Sequence, residues 1–406
     1  MGEKKGIYRQ RIARQLYFTP GLSCAELSNN IGKSLPVTTK LLNELIDEQM
    51  VQESGFAPSS GGRRPLTYSL ASNIIYIVSV AMDQEVTRIA IMDVQNQVIN
   101  TCGNYVLPML DNTNLWEDLA ELISLQIRDS GIPFDRLAGI GIGMPGFVDA
   151  KKGINHTFNK IGGKSISTFI SERLGLPVFI DNDSSLIALA ELRFGVARNS
   201  RNAMVVNIGW GIGLGMILNG QLFRGHNGFA GEFSHIPLFT NGKLCGCGKS
   251  GCLETETSLL VLVNKAREGL KAGRASNIKL TADSNYEEAC TAILTAAQSG
   301  DRFAVELISE DGYNIGRGIA ILIHILNPEL IVLSGRGSSA GQIWQAPIQH
   351  ALNEYSIPRL AASTHMEVST LGDQAELIGA AALVVENLEH TNHFRSGSRK
   401  LAPEAI

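Results

Sequence analysis

No stretch of this 406-residue chain is apolar for long enough to cross a bilayer. The most apolar run, Ile319 to Leu326, is interrupted by His324 and falls far short of the ~20 residues a span needs. The opening residues, MGEKKGIYRQR, contain no apolar core like that of a signal peptide. Cysteine is scarce, six in all, and three of the six are clustered, which fits a reducing cytoplasm. Charge of one sign is not in excess either. The formal net charge is −4, so the protein as a whole is not built to bind a polyanion. The charge is uneven, however. Residues 1 to 70 hold nine Lys and Arg against six acids, a net of +3, which leaves −7 for the remainder. A basic N-terminal module on an acidic body confines any contact with a polyanion to the N-terminus. With 44% hydrophobic and 18% charged residues, the composition is globular, and the length allows two or three domains.

The densest chemistry lies in residues 228 to 256. Cys245, Cys247 and Cys252 fall here, and His235 precedes the first by ten residues. Zinc takes four tetrahedral nitrogen or sulfur ligands, and closed sites of this kind are structural. One His with C-x-C-x4-C supplies four. Gly246, Gly248 and Gly251 would let the backbone wrap between the ligands, because glycine tolerates positive φ. Glu232 lies three residues before His235, and Glu254 two after Cys252. Two carboxylates fixed beside a metal-bound His suit a polyhydroxylated ligand. Carboxylates accept hydrogen bonds from sugar hydroxyls, and the second imidazole nitrogen can donate one.

The first 72 residues read as a winged helix-turn-helix. Ile7, Ile12 and Leu16 recur at roughly helical spacing, and Pro20-Gly21 ends that helix. Ser23 with Glu26 three residues later is a capping-box pattern for a second helix. Gly32 marks a turn. Ser34 as cap and Pro36 in the first turn open a third helix with an apolar stripe of Val37, Leu41, Leu42, Leu45 and Ile46. In such a motif the second of the paired helices enters the major groove. Ser34, Thr38, Thr39 and Lys40 are the expected contacts there. Two short strands around Gly62-Arg63-Arg64-Pro65 read as a wing, with Arg63 and Arg64 suited to a narrow, electronegative minor groove.

From residue 73 onward strands and helices alternate. Ile74 to Ala81, Arg88 to Asp93 and Val98 to Val106 read as strands. Trp116 to Ser130 reads as a helix and Leu137 to Met144 as a buried strand. Helix Ile166 to Leu174, strand Pro177 to Ile180 and helix Ser184 to Phe194 follow. A second set of strands opens just after Ala203. Leu259 to Leu307 reads as several helices with a break near Ala272-Gly273, Asp311 to Leu326 as a long buried helix, and Ala375 to Glu389 as an apolar terminal helix. The expected architecture is α/β, with an N-terminal DNA-binding domain at 1–72, one lobe at 73–195 completed by helix 375–389, a second lobe at 196–374 and a polar tail at 390–406.

Gly231-Glu232-Phe233-Ser234-His235, Cys245-Gly246-Cys247-Gly248 and Gly251-Cys252-Leu253-Glu254 resemble the ROK family of sugar-responsive repressors, open reading frames and sugar kinases. The N-terminal module resembles that of its repressor branch and is absent from its kinases. The resemblance implies an actin-like, two-lobed body with a sugar in the interlobe cleft. It assigns Gly146, Asn182, Asp183, Glu232, His235 and Glu254 to the sugar, with Asn159 a further candidate. In the kinases the residue matching Asp183 is the general base, which here would be retained for binding. The kinases hold ATP phosphates on two glycine-rich turns, Asp-x-Gly-Gly-Thr and Gly-Thr-Gly. This chain has Met82-Asp83-Gln84-Glu85-Val86-Thr87 and Gly209-Trp210-Gly211 in their place. With both glycines of the first turn gone, a charge added at Glu85 and an indole for a hydroxyl at Trp210, no kinase activity is expected. The reading is a cytoplasmic, homo-oligomeric repressor, a homodimer by symmetry with palindromic sites. It carries structural Zn2+, binds double-stranded operator DNA and answers to a sugar or sugar phosphate. The alternatives are an ATP-dependent hexose kinase with an appended DNA-binding module, or a repressor controlled by a phosphotransferase-system protein.

Overall fold

A computed structural model describes residues 2–57, 64–158, 164–281 and 283–394. Arg63 at the expected wing tip, Asn159, and residues 395–406 of the expected tail lie outside the described residues. The chain divides into two compact units, residues 1–182 with 380–406 and residues 183–379.

The first unit opens with helix α1 (Gly2–Phe18), strand β1 (Leu22–Ser23), helices α2 (Cys24–Ile31) and α3 (Leu35–Asp47), and strands β2 (Val51–Phe56) and β3 (Leu66–Leu70). The capping box forms as the sequence predicts. Ser23 N–H donates to Glu26 Oε2 at 2.8 Å, and Glu26 N–H returns a bond to Ser23 Oγ. β1, β3 and β2 form an antiparallel sheet in that order, and Ile12, Leu16, Leu27, Leu41, Leu42 and Leu45 fill the core between the helices. The α3 stripe keeps the expected Leu41, Leu42 and Leu45 but begins at Thr38 instead of Val37, and Ile46 is only partly buried. Its buried positions are Thr38, Leu41, Leu42 and Leu45, while Val37 is exposed. Thr38 replaces an aliphatic residue because its hydroxyl bonds back to the Ser34 carbonyl, so no polar group is left unsatisfied.

The opposite side of α1 is tied to the C-terminal segment of the same unit. The buried Gln10 carboxamide donates toward the carbonyls of Leu388, Thr391 and His393 at 2.8–3.1 Å. Arg11 pairs with Glu389 at 3.1 Å, and Tyr17 donates to Asn96.

The body of the first unit contains β4 (Tyr76–Met82), β5 (Val86–Met92), β6 (Val98–Val106), α4 (Leu115–Ser130), β7 (Leu137–Met144), the short pair β8 (Val148–Asp149) and β9 (Ile154–Asn155), α5 (Ile166–Leu174) and β10 (Val178–Asn182). Its sheet runs β6-β5-β4-β7-β10. The first three strands are antiparallel neighbours, and β7 and β10 add in parallel. All eight residues of β7 are buried, as both faces of a central strand require. A Cβ at Gly141 would lie 2.0 Å from the Ala380 carbonyl, so the terminal helix reaches the strand only over a glycine.

The second unit holds α6 (Asp183–Arg193), β11 (Ala203–Ile208), β12 (Ile212–Leu218), β13 (Gln221–Phe223), α7 (Glu254–Thr257), α8 (Leu259–Lys271), α9 (Tyr286–Gln298), α10 (Arg302–Leu326), β14 (Leu330–Ser334), α11 (Gln345–Tyr355), α12 (Pro358–Ala361), β15 (His365–Val368) and the start of α13 (Ala375–Glu386). Its sheet, β13-β12-β11-β14-β15, repeats the topology of the first: three antiparallel strands, then two parallel ones. Two such sheets, each with its own core, make up the actin-like body. Helix α10 starts nine residues before the expected Asp311. The Asp301 carboxylate caps it by accepting from Ala304 N–H at 2.9 Å, and Phe303, Leu307 and Ile308 extend the buried stripe backward.

Candidate functional site

A knuckle of backbone builds the cysteine loop. Cys245 N–H bonds to Lys249 O at 2.7 Å, and Gly248 N–H returns to Cys245 O at 2.9 Å. Pro237 and Cys252 form an isolated bridge, as do Leu244 and Ser250. Gly248 and Gly251 adopt positive φ, +83° and +78°; Gly246 does not, so only two of the three expected glycines serve as left-handed hinges. The result brings His235, Cys245, Cys247 and Cys252 together, with one ligand atom from each within 4.8 Å of all the others. Cys245 Sγ lies 3.6 Å from His235 Nδ1, and Cys247 Sγ lies 3.6 Å from Cys252 Sγ. Zinc–sulfur bonds of about 2.3 Å give a tetrahedron with edges near ~3.7 Å, so the donor set fits a zinc ion. The thiols form no disulfide. Burial pushes the Cys252 thiol up to about 12, whereas the Lys249 backbone N–H holds Cys247 below the usual thiol range. His235 presents Nδ1 to the thiols and turns Nε2 toward Glu232, whose Oε2 is 3.7 Å away.

Acidic groups extend from this loop across the second unit. Burial raises the Glu232 carboxyl, and the Glu254 charge adds to the effect. Burial likewise raises Glu254, opposed by His235 and by a hydrogen bond from Ser234. A Cβ on Gly211 would lie 3.4 Å from Glu254 Oε2, which places this carboxylate against the Gly209-Trp210-Gly211 turn. Asp183 begins α6. Its Oδ1 accepts from Ser184 N–H at 2.8 Å and its Oδ2 from Asn207 Nδ2 at 3.4 Å. Sequence reasoning missed Asn207 and Ser234, although a polar Asn inside the otherwise apolar strand Ala203–Ile208 was a visible signal.

Gly146 and Asn182 belong to the first unit. Gly146 has φ +94° and its carbonyl accepts from Asn182 Nδ2 at 3.3 Å. The fully buried Asn155, also missed, donates to Pro145 O at 2.9 Å and accepts from the Thr157 and Phe158 N–H groups, which shapes the loop around Gly146.

The turns matching the kinase phosphate cradles make contacts of their own. The Gln84 and Glu85 carbonyls accept from Met109 and Leu107 N–H, and the Glu85 side chain is exposed. Trp210 lies under the Arg336 guanidinium, 5.2 Å from the ring centroid, and meets Tyr286 edge-on at 6.3 Å. Ser34 before α3 and Thr39 and Lys40 on it are exposed, as is Arg64 beyond β2. Ser34 makes no side-chain cap bond. Thr38 is removed from the expected base contacts: it is fully buried, on the face that packs against the core. No helix among the described residues is long and apolar enough to cross a membrane.

A model of the ROK family matches residues 80–387. The xylose repressor of Caldicellulosiruptor bescii is 27% identical over 379 residues, covering 90% of this chain and 92% of its own. A glucokinase of Halalkalibacterium halodurans is 35% identical over 251 residues, 61% of this chain and 76% of its own. Among solved structures, a ROK family transcriptional regulator, homologue of the E. coli MLC protein, aligns with a TM-score of 0.76 at 27% identity, covering 95% of this chain and 97% of its own. Both the sequence motifs and the duplicated sheets therefore have the same source, and this chain belongs to the ROK family.

Proposed function

We propose that the chain is a transcriptional repressor of carbohydrate-metabolism genes whose DNA binding responds to a sugar or sugar phosphate. One observation carries this reading. Similarity to the xylose repressor covers 90% of the chain, whereas similarity to the glucokinase covers 61%. The helices α1 to α3 and the antiparallel β2–β3 pair serve as a winged helix-turn-helix. Ser34, Thr39 and Lys40 face the major groove, and Arg64 the minor groove. Asp183, Glu232, His235 and Glu254 supply the acceptors and the one donor that sugar hydroxyls need. A zinc ion on His235, Cys245, Cys247 and Cys252 holds Glu232 and Glu254 in register without entering any reaction. A homodimer presents two copies of α3 to the half-sites of a palindrome. Ligand acts by favouring one of two conformations that differ in DNA affinity.

Catalysis is not part of this reading. A backbone cradle for phosphate needs free N–H groups and glycine. Here Gln84, Glu85 and Trp210 stand in the cradle positions. A coupled assay for ADP release over a panel of hexoses should show no turnover above the protein-free rate, while titration calorimetry detects binding of a monosaccharide or its phosphate. Steady ADP release with any hexose would favour the kinase alternative.

A further inference from the structure

Leu35, Pro36 and Val37 are three consecutive exposed apolar residues at the start of α3. Leu35 is 50% and Val37 45% exposed, in a helix that buries Leu41, Leu42 and Leu45 almost completely. Helix starts favour acidic side chains, yet the first turn of α3 contains none. Its acids come later, at Glu44 and Asp47, with Glu48 at the C-cap, and Glu44 is paired with Lys5 at 2.8 Å. The leading half of the helix thus exposes Leu35, Pro36 and Val37 beside Thr39 and a single charge, the cation Lys40, within a module of net charge +3.

That half is the part of a recognition helix that meets base edges. An apolar side chain there cannot hydrogen-bond a base or a phosphate. In the major groove it has one complementary partner, the C5-methyl group of thymine, which cytosine lacks. We propose that Val37, assisted by Leu35, seats thymine methyl groups in the major groove and thereby selects T over C at one or two positions of each half-site. The inward turn of Thr38 supports this. With that hydroxyl turned inward and bonded to the Ser34 carbonyl, Val37 takes the place beside Ser34, Thr39 and Lys40 in the exposed readout. The inference rests on the repressor reading above and deepens it.

Replacing thymine by uracil removes only the methyl group, so the test isolates the contact. The full-length protein is used to select a tight duplex from a random pool, and each thymine of the selected core is then replaced singly by deoxyuridine. One or two replacements should weaken binding about fourfold each, the weight of one methyl-sized group removed from water. Val37→Ala should bind the thymine duplex correspondingly less well and lose the penalty for uracil. Val37→Thr, which keeps a methyl, should retain it. Leu35→Ala provides a second, independent variant. Indifference to every thymine-to-uracil change, or a penalty that persists unchanged in both alanine variants, would overturn the inference while leaving the repressor reading standing. Failure to select any duplex would instead sink the repressor reading.

Discussion

Cys247 is the most exposed of the four clustered ligands, and its sulfur is the one held below the usual thiol range. Removing it leaves His235, Cys245 and Cys252, of which both cysteines are buried. Three ligands bind a structural metal far more weakly than four, because the fourth position reverts to water. Cys247→Ser should therefore be purified with well under one zinc per chain, by elemental analysis, and should lose its response to sugar while still binding DNA. A zinc-free variant with normal sugar response would show that the metal does not position Glu232 and Glu254. Why this cluster could be read from the chain is plain: its cysteines are separated by two and five residues, so turn geometry alone brings them together. Asn207 could not be assigned its role in the same way. It reaches Asp183, 24 residues earlier at the start of α6, a contact that depends on how that helix packs on β11.

At the level of elements, α3 shows how local patterning misleads by one position. Val37 and Thr38 are both β-branched and equal in bulk, and hydrophobicity alone favours burying Val37. The hydrogen bond from Thr38 to the carbonyl four residues back removes the penalty for burying the hydroxyl, and the stripe then follows i, i+3, i+4, i+7 from Thr38. Helix α10 was read too short for a related reason: Asp301 is a capping residue whose partners include Ser276 and the Asn277 N–H, far back in the chain. These bonds, led by the one from Asn277, hold the Asp301 carboxyl below the usual carboxylate range. Its stabilising effect is therefore complete above about pH 4 and is lost as pH falls through the lowered folded value. Asp301→Ala should cost about 1–2 kcal/mol in urea unfolding at pH 7, and the difference from wild type should shrink steadily below pH 4. A difference that grows on acidification would contradict the capping role. Helix α1 gives the parallel case at an interface of elements. Truncating Gln10 strips a buried donor from the Leu388, Thr391 and His393 carbonyls, an effect of about 1–3 kcal/mol. Gln10→Ala should lower the first unfolding midpoint in differential scanning calorimetry, and an unchanged thermogram would mean that α1 is not held by the C-terminal segment.

For the molecule as a whole, the alternation of strands and helices was enough to read two copies of one sheet topology, because the central strands β4, β7, β11 and β14 are continuous buried, mainly apolar runs. The charge asymmetry was equally legible and marks where a polyanion can bind. Function depends on coupling these parts, a property of the assembled chain that no single motif encodes. The central claim is that one molecule both reads DNA and answers to a sugar. Its most direct test is fluorescence anisotropy of the pure protein on the duplex upstream of its own coding sequence, titrated with sugars and sugar phosphates. Tight binding that weakens steeply with salt, and that one compound shifts by about tenfold or more, is the predicted result. Specific binding that no sugar or sugar phosphate alters, or no specific binding at all, would contradict it.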